Sequence, residues 1–137
     1  RFLLKTVTAA IILRGEAGAE QALICRRRAD QPLPLQWEFA GGKVEGGEEP
    51  AASLRRELRE ELGVEAEIGP EVCRFSYQYP GHDPVLLVFF KVTEFRGDPR
   101  NLVFAQIRWV ERTRLPEFDF LAADRQLVEQ IARGELV

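Results

Sequence analysis

Pro50 and Gly63 bracket the segment that most limits how this chain can fold, PAASLRRELREELG. Proline suits the first helical position, where its missing N–H costs nothing. Glu48 and Glu49 sit just ahead of it, where the helix dipole favours negative charge. Ala51, Leu54, Leu58 and Leu62 recur at spacings of three and four, and so draw one apolar stripe. Gly63 supplies the C-terminal stop. The spacing predicts an amphipathic helix over Pro50–Leu62 that must bury one face.

The rest of the chain reads mainly as strands. Thr6–Leu13 (TVTAAIIL) reads as a buried strand and Gln21–Arg28 as a second. The Gly-rich, charged turn Arg14–Glu20 would join them as a hairpin. Pro32 and Pro34 favour a loop over Ala29–Gln36, and Trp37–Phe39 is a short apolar piece running into Gly41-Gly42. Glu65–Ile68, Val72–Tyr79, Val85–Glu94 and Ala105–Glu111 read as further strands, with turns at Gly81–Pro84 and Arg96–Pro99. A second helix is expected from about Leu121 to Ala132, with Leu121, Leu127, Val128 and Ile131 inward. Strands dominate, with one helix between them and one at the end. The expected fold is therefore α/β (α+β): a mixed central sheet with a helix on each face, which buries both apolar stripes.

Composition sets the outer bounds. A chain of 137 residues, 45% of them hydrophobic, fits a single domain over 1–137. With 19 basic and 22 acidic residues the formal charge is −3, which argues against a bulk basic nucleic-acid binder. No polymeric nucleic acid is expected as a partner. No run reaches the roughly 18 apolar residues of a membrane span, so no membrane partner is expected either. The opening Arg1–Lys5 is too short for a secretory signal. Because the sequence contains no Met, its true start is expected to be missing. Cys25 and Cys73 have neither disulfide-framework nor metal-site spacing; both read as small core residues, which suits a reducing, cytoplasmic setting.

The predicted helix carries an unusual face. Glu57, Glu60 and Glu61 lie together through i+3 and i+4 steps. The like-charge pair Glu57 and Glu61 costs about a few tenths of a kcal/mol, which a helix selected only for stability would avoid. A divalent cation reverses that repulsion, because hard cations such as Mg²⁺ take oxygen ligands and are shared with substrate phosphates. The residues alone also allow a solvated face, since Arg55, Arg56 and Arg59 interleave and Arg56–Glu60 is an i,i+4 ion pair.

The spacing is more specific. Gly42 is followed after five residues by Glu48, and after seven more by Arg56-Glu57-Leu58, then Arg59, Glu60-Glu61, Leu62 and Gly63-Val64. This resembles the Nudix hydrolase signature, G-x5-E-x7-R-E-U-x-E-E-x-G-U with U apolar, at every defined position. Trp37-Glu38-Phe39-Ala40-Gly41-Gly42-Lys43 resembles the lead-in of the MutT-like branch, which cleaves nucleoside triphosphates. The resemblance implies Mg²⁺ or Mn²⁺ as cofactor and a small nucleotide as partner. It implies that Glu57, Glu60, Glu61 and the Gly41 carbonyl hold metal, that Arg56 orients the carboxylates, and that Glu48 supports the loop or the metal shell. Gly42, Gly46 and Gly47 would let the loop turn and approach phosphates. Glu60 or Glu61 would accept the water proton.

Two departures from the family pattern stand out. Val103–Arg108 lacks the acid that MutT-type members often carry before the tryptophan that Trp109 resembles. Gln106 is the one polar oxygen there, and Glu94 is another acid that could fill in. Ala40 also replaces the usual proline. For the substrate, the resemblance points to Arg27 touching nucleotide, Phe39 near the base or sugar, His82 near the base and Asp124 reading the base edge. Strand alternation sends Arg27 to the opposite face from its neighbours. An ionised Asp124 accepts hydrogen bonds only, which fits the cytosine amino group or the N1–H and amino group of guanine. Each also has a plainer reading: a solvated strand end for Arg27, core packing for Phe39, a surface turn for His82, and a dipole-favoured acid for Asp124. Tyr77 and Tyr79 share a face that could line a base pocket. The expected activity is hydrolysis of a nucleoside triphosphate, including oxidised or modified dNTPs, to monophosphate and pyrophosphate. Alternatives are a nucleotide-sugar or dinucleoside-polyphosphate hydrolase and a non-catalytic nucleotide-binding domain. Either a monomer or a homodimer is compatible.

Overall fold

The computed structural model describes residues 4–137; Arg1–Leu3, within the opening segment weighed above as a signal, lie outside it. The strands are β1 (Lys5–Arg14), β2 (Gln21–Arg26), β3 (Trp37–Glu38), β4 (Gly41–Lys43), β5 (Glu65–Glu67), β6 (Glu71–Tyr77), β7 (Val85–Val92), β8 (Glu94–Arg96) and β9 (Gln106–Glu111). The helices are α1 (Pro50–Leu62) and α2 (Arg125–Ala132). Among the described residues the main sheet runs β3-β2-β1-β7-β6, with β4 also on β1 and β9 also on β2. β1 and β7 are parallel; the other pairs are antiparallel. The sheet is therefore mixed, as expected. A small second sheet pairs β5 with β8.

Alternation along β1 separates two cores. Ala9, Ile11 and Leu13 join Ile24, Phe39, Phe89 and Phe120 under the α2 residues Leu127, Val128 and Ile131. Ala10 and Ile12 join Leu23, Cys25, Val88 and Val92 under the α1 residues Leu54, Leu58 and Leu62. A helix thus covers each face of the sheet. Cys25 is buried and Cys73 half-buried against the α2-side core; both thiols are free.

α1 has the predicted bounds. Pro50 opens it, and Gly63 closes it in a left-handed conformation (φ 67°), with its N–H donated to the Arg59 carbonyl. Elsewhere the boundaries shift for local reasons. β1 and β2 form the expected hairpin through only two residue pairs, Leu13↔Ala22 and Arg14↔Gln21, and then diverge, while β9 pairs with β2 along its whole length on the other edge. β4 takes the vacated edge at Val7–Ala9. β2 stops at Arg26 instead of Arg28, because the Arg27 N–H turns to the Gln36 carbonyl and the Arg27 carbonyl accepts from Leu35. The expected strand Val85–Glu94 breaks at Thr93, where β8 leaves to pair with β5. The expected helix from Leu121 begins as a 3-10 turn over Ala122–Asp124, and α2 proper starts at Arg125.

Candidate active site

The gap left where β2 parts from β1 opens into a cleft of about 470 Å³. One wall is α1, presenting Glu57, Glu60 and Glu61; the β4 loop adds Gly41, Gly42 and Lys43. The opposite end is lined by Phe39, Tyr79, Leu121, Ala123 and Asp124, and the rim by Arg27, Arg28, Gln31, Val103 and Phe104. The α1 stripe that buries Leu54, Leu58 and Leu62 turns the glutamate face toward β4, so the helix packs and the cleft is armed by the same rotation.

The glycine loop fits its neighbours closely. A Cβ on Gly41 would stand 2.0 Å from the Thr8 carbonyl oxygen. On Gly42 it would meet the Glu57 carboxyl carbon at 2.6 Å, so any side chain there would displace that carboxylate. The Thr8 hydroxyl donates to the Gly42 carbonyl (3.3 Å) and ties the loop to β1. Gly47 is left-handed (φ 83°), whereas a Cβ on Gly46 would meet open space and its backbone is not left-handed.

Arg56 organises the carboxylates. Its Nε and Nη2 both donate to the Glu48 carboxylate at 2.9 Å, a bidentate fork. Its Nη1 donates to Glu57 (2.9 Å) and to Glu60 (3.3 Å). The Arg56 hydrogen bonds and the Glu45 N–H hold the Glu48 carboxyl down at about 2. Glu57 is pushed up by burial against the pull of Arg56. Glu61 has no such fork. Among the described residues its one side-chain hydrogen bond comes from the Gly41 N–H (3.0 Å), and burial, then the charge of Glu57, lifts its carboxyl to about 8. Among the described residues no three acidic, histidine or cysteine side chains form a ready-made ion cage. The donor set nonetheless suits a divalent cation: hard oxygen donors, mutually repelling, on one rigid helix beside a loop of small residues.

The far end holds two more carboxyls. Asp124 is 5% exposed, makes no capping hydrogen bond to α2, and is raised to about 7 by burial and then by the charge of Glu38. Glu38 receives Arg27 Nη1 at 3.1 Å; burial raises its carboxyl and Arg27 partly offsets this. Sequence reasoning passed over Glu38. The available signal was one charged residue inside the apolar piece Trp37–Phe39.

Of the sequence-nominated residues, Gly41, Glu57, Glu60, Glu61, Arg27, Phe39 and Asp124 line this one cleft, with Arg56 and Glu48 braced behind its wall. Arg27 and Arg28 both line it, because β2 has ended and strand alternation no longer holds. Arg27 is also tied to the preceding loop through the Pro32 carbonyl (2.8 Å). Phe39 is buried against Phe89 and Phe120 while showing an edge to the cleft. His82 is not among the lining residues; it is exposed in its turn. Gln106 and Glu94, the two stand-ins for a missing acid, are exposed and also outside the cleft. The additional cleft acid is Glu38.

Comparison with known proteins agrees with this geometry. The chain is 34% identical over 123 residues to an 8-oxo-dGTP diphosphatase of Haemophilus influenzae, covering 90% of this chain and 88% of that one. It is likewise 34% identical over 123 residues to a CTP pyrophosphohydrolase of Escherichia coli, covering 90% and 87%. The solved structure of the E. coli ORF135 protein superposes with a TM-score of 0.80 at 34% identity, covering 93% of this chain and 88% of that one. Residues 4–131 match the NUDIX domain, and the chain belongs to that family.

Proposed function

We propose that the chain hydrolyses a nucleoside triphosphate to its monophosphate and pyrophosphate. Water adds across the anhydride between the α- and β-phosphates, its oxygen bonding to phosphorus as the bridging P–O bond breaks. The observation that carries this reading is that the glutamates of α1, the glycine loop and the buried Asp124 line one cleft of about 470 Å³. Relatives named for 8-oxo-dGTP and for CTP support a nucleotide substrate.

The NUDIX family is typically dependent on a divalent metal. Here Glu57, Glu60, Glu61 and the Gly41 carbonyl would hold Mg²⁺ or Mn²⁺. Such an ion, when bound, neutralises polyphosphate charge and acidifies water. Arg56 keeps Glu57 and Glu60 aimed while Glu48 fixes Arg56. The Gly41 N–H orients Glu61, and Glu60 or Glu61 takes the water proton. Asp124 and Phe39 receive the base, and Arg27 borders the nucleotide. Two free thiols suit a reducing cytoplasmic setting.

The test is a Mg²⁺-dependent hydrolysis panel of normal dNTPs and NTPs, 8-oxo-dGTP, 5-methyl-dCTP, ADP-ribose and diadenosine polyphosphates, with products resolved. Preferred cleavage of one triphosphate to monophosphate and pyrophosphate is the expected result. Preferred cleavage of ADP-ribose or a dinucleotide, or binding without turnover, would overturn it.

A further inference from the structure

Tyr79 reaches the base end of the cleft from the strand side. Its hydroxyl accepts a hydrogen bond from the Ala123 N–H at 3.1 Å. A phenol has one proton to give, and an amide N–H cannot accept it. Among the described residues no acceptor takes that proton. The next residue along the chain is Asp124, whose buried carboxyl lines the same cleft. One donor and one acceptor are therefore held side by side by the 3-10 turn Ala122–Asp124.

The donor is fixed in place. The Tyr77 ring packs edge-on against Tyr79, centroids 4.7 Å apart. The turn after Tyr79 is closed by the His82 N–H on the Tyr79 carbonyl (3.0 Å) and by the Gln78 side-chain amide on the His82 carbonyl (2.9 Å). His82 thus braces the turn after Tyr79 through its backbone. Burial, with the Asp124 charge adding to it, keeps the phenol protonated.

Resting on the nucleotide reading above, we propose that Tyr79 is a specificity-determining residue whose hydroxyl donates to an acceptor on the base edge, beside the N–H that Asp124 takes. Both the O6 and N1–H of guanine and the N3 and amino group of cytosine offer that pair.

Tyr79→Phe removes the hydroxyl and keeps the ring against Tyr77. Its kcat/KM should be compared with that of the wild type on dGTP against 6-thio-dGTP, whose sulfur accepts weakly, and on CTP against 3-deaza-CTP, which lacks N3. For the preferred base, the substitution should cost about five- to tenfold on the normal nucleotide and leave the analogue nearly unchanged. The arm that shows this non-additivity identifies the base. An equal loss on the normal nucleotide and its analogue in both arms would mean that the hydroxyl only braces the Ala123 turn, and would overturn the proposal. The same cycle read as Kd by calorimetry answers the question for a chain that binds nucleotide without cleaving it, so loss of the hydrolysis reading is distinguishable from loss of this one.

Discussion

At the N-terminal end of α1, Glu48 meets the Arg56 guanidinium through two hydrogen bonds, and its carboxyl falls to about 2. At the C-terminal end of the same helix, Glu61 has a single amide donor and the charge of Glu57 for a neighbour, and its carboxyl rises to about 8. Asp124, across the cleft, rises to about 7. The same side-chain chemistry therefore does two jobs. Where the acid is paired within the protein it shapes the loop; where it is buried and unpaired it is held ready for a partner from outside.

The sharpest way to break this contrast is Glu61→Gln. Turnover with Mg²⁺ should fall by about 10²–10⁴-fold, while Tm measured in EDTA above pH 8 should hold or rise, because the amide cannot ionise where Glu61 does. Retained turnover with a lower Tm would place Glu61 with the structural acids.

Next in size is the pH response. Glu61 and Asp124 have folded pKa values above their ordinary ones, so the folded chain keeps protons that the unfolded chain has released. Their contribution is fully present below about pH 4, the ordinary carboxyl range, and is lost as pH rises through 7–8. In EDTA, Tm should fall between pH 5 and 8. Mg²⁺ should restore more at pH 8 than at pH 5, since the ligands must be ionised to bind. Differential scanning fluorimetry checks both. A flat profile in EDTA would remove the distinction between the two acid sets.

The smallest effect belongs to Glu48→Ala. Its folded pKa is lowered, so its contribution is present above the ordinary carboxyl range and is lost as pH falls toward 2. The variant should show a weaker acid-side loss of Tm and a several-fold fall in kcat, as Arg56 loses its fork. Steady-state kinetics with and without Glu48 would show whether the bracing extends to the reaction.

The legible part of this molecule was the part governed by local rules. Pro50, the apolar stripe and Gly63 define α1 to the residue, because capping and helical periodicity act within a few positions. Six of the nine strands among the described residues and the helix on each face also followed from pattern, whereas β3, β4 and β8 are too short to show a period. Glu38 was not legible, because a two-residue strand has no period and its neighbours Arg27 and Asp124 arrive only through the fold. The ends of β2 and β7 were misplaced because loop and edge pairings, Arg27 with Leu35–Gln36 and β8 with β5, override apolar runs. The exposed position of His82 depends on how its turn closes, which a single histidine between Gly81 and Asp83 does not reveal.

β1 carries one more consequence. Its full-length neighbour is β7, with Lys5 opposite Val85 and Ile12 opposite Val92. During synthesis TVTAAIIL therefore leaves the ribosome long before the strand that covers its inner edge exists. Closing so distant a parallel pair is an intrinsically slow step. Until Val92 emerges, β1 is an apolar edge open to other chains, so aggregation of the nascent protein should depend on β1 more than on the α1 glutamates of the cleft.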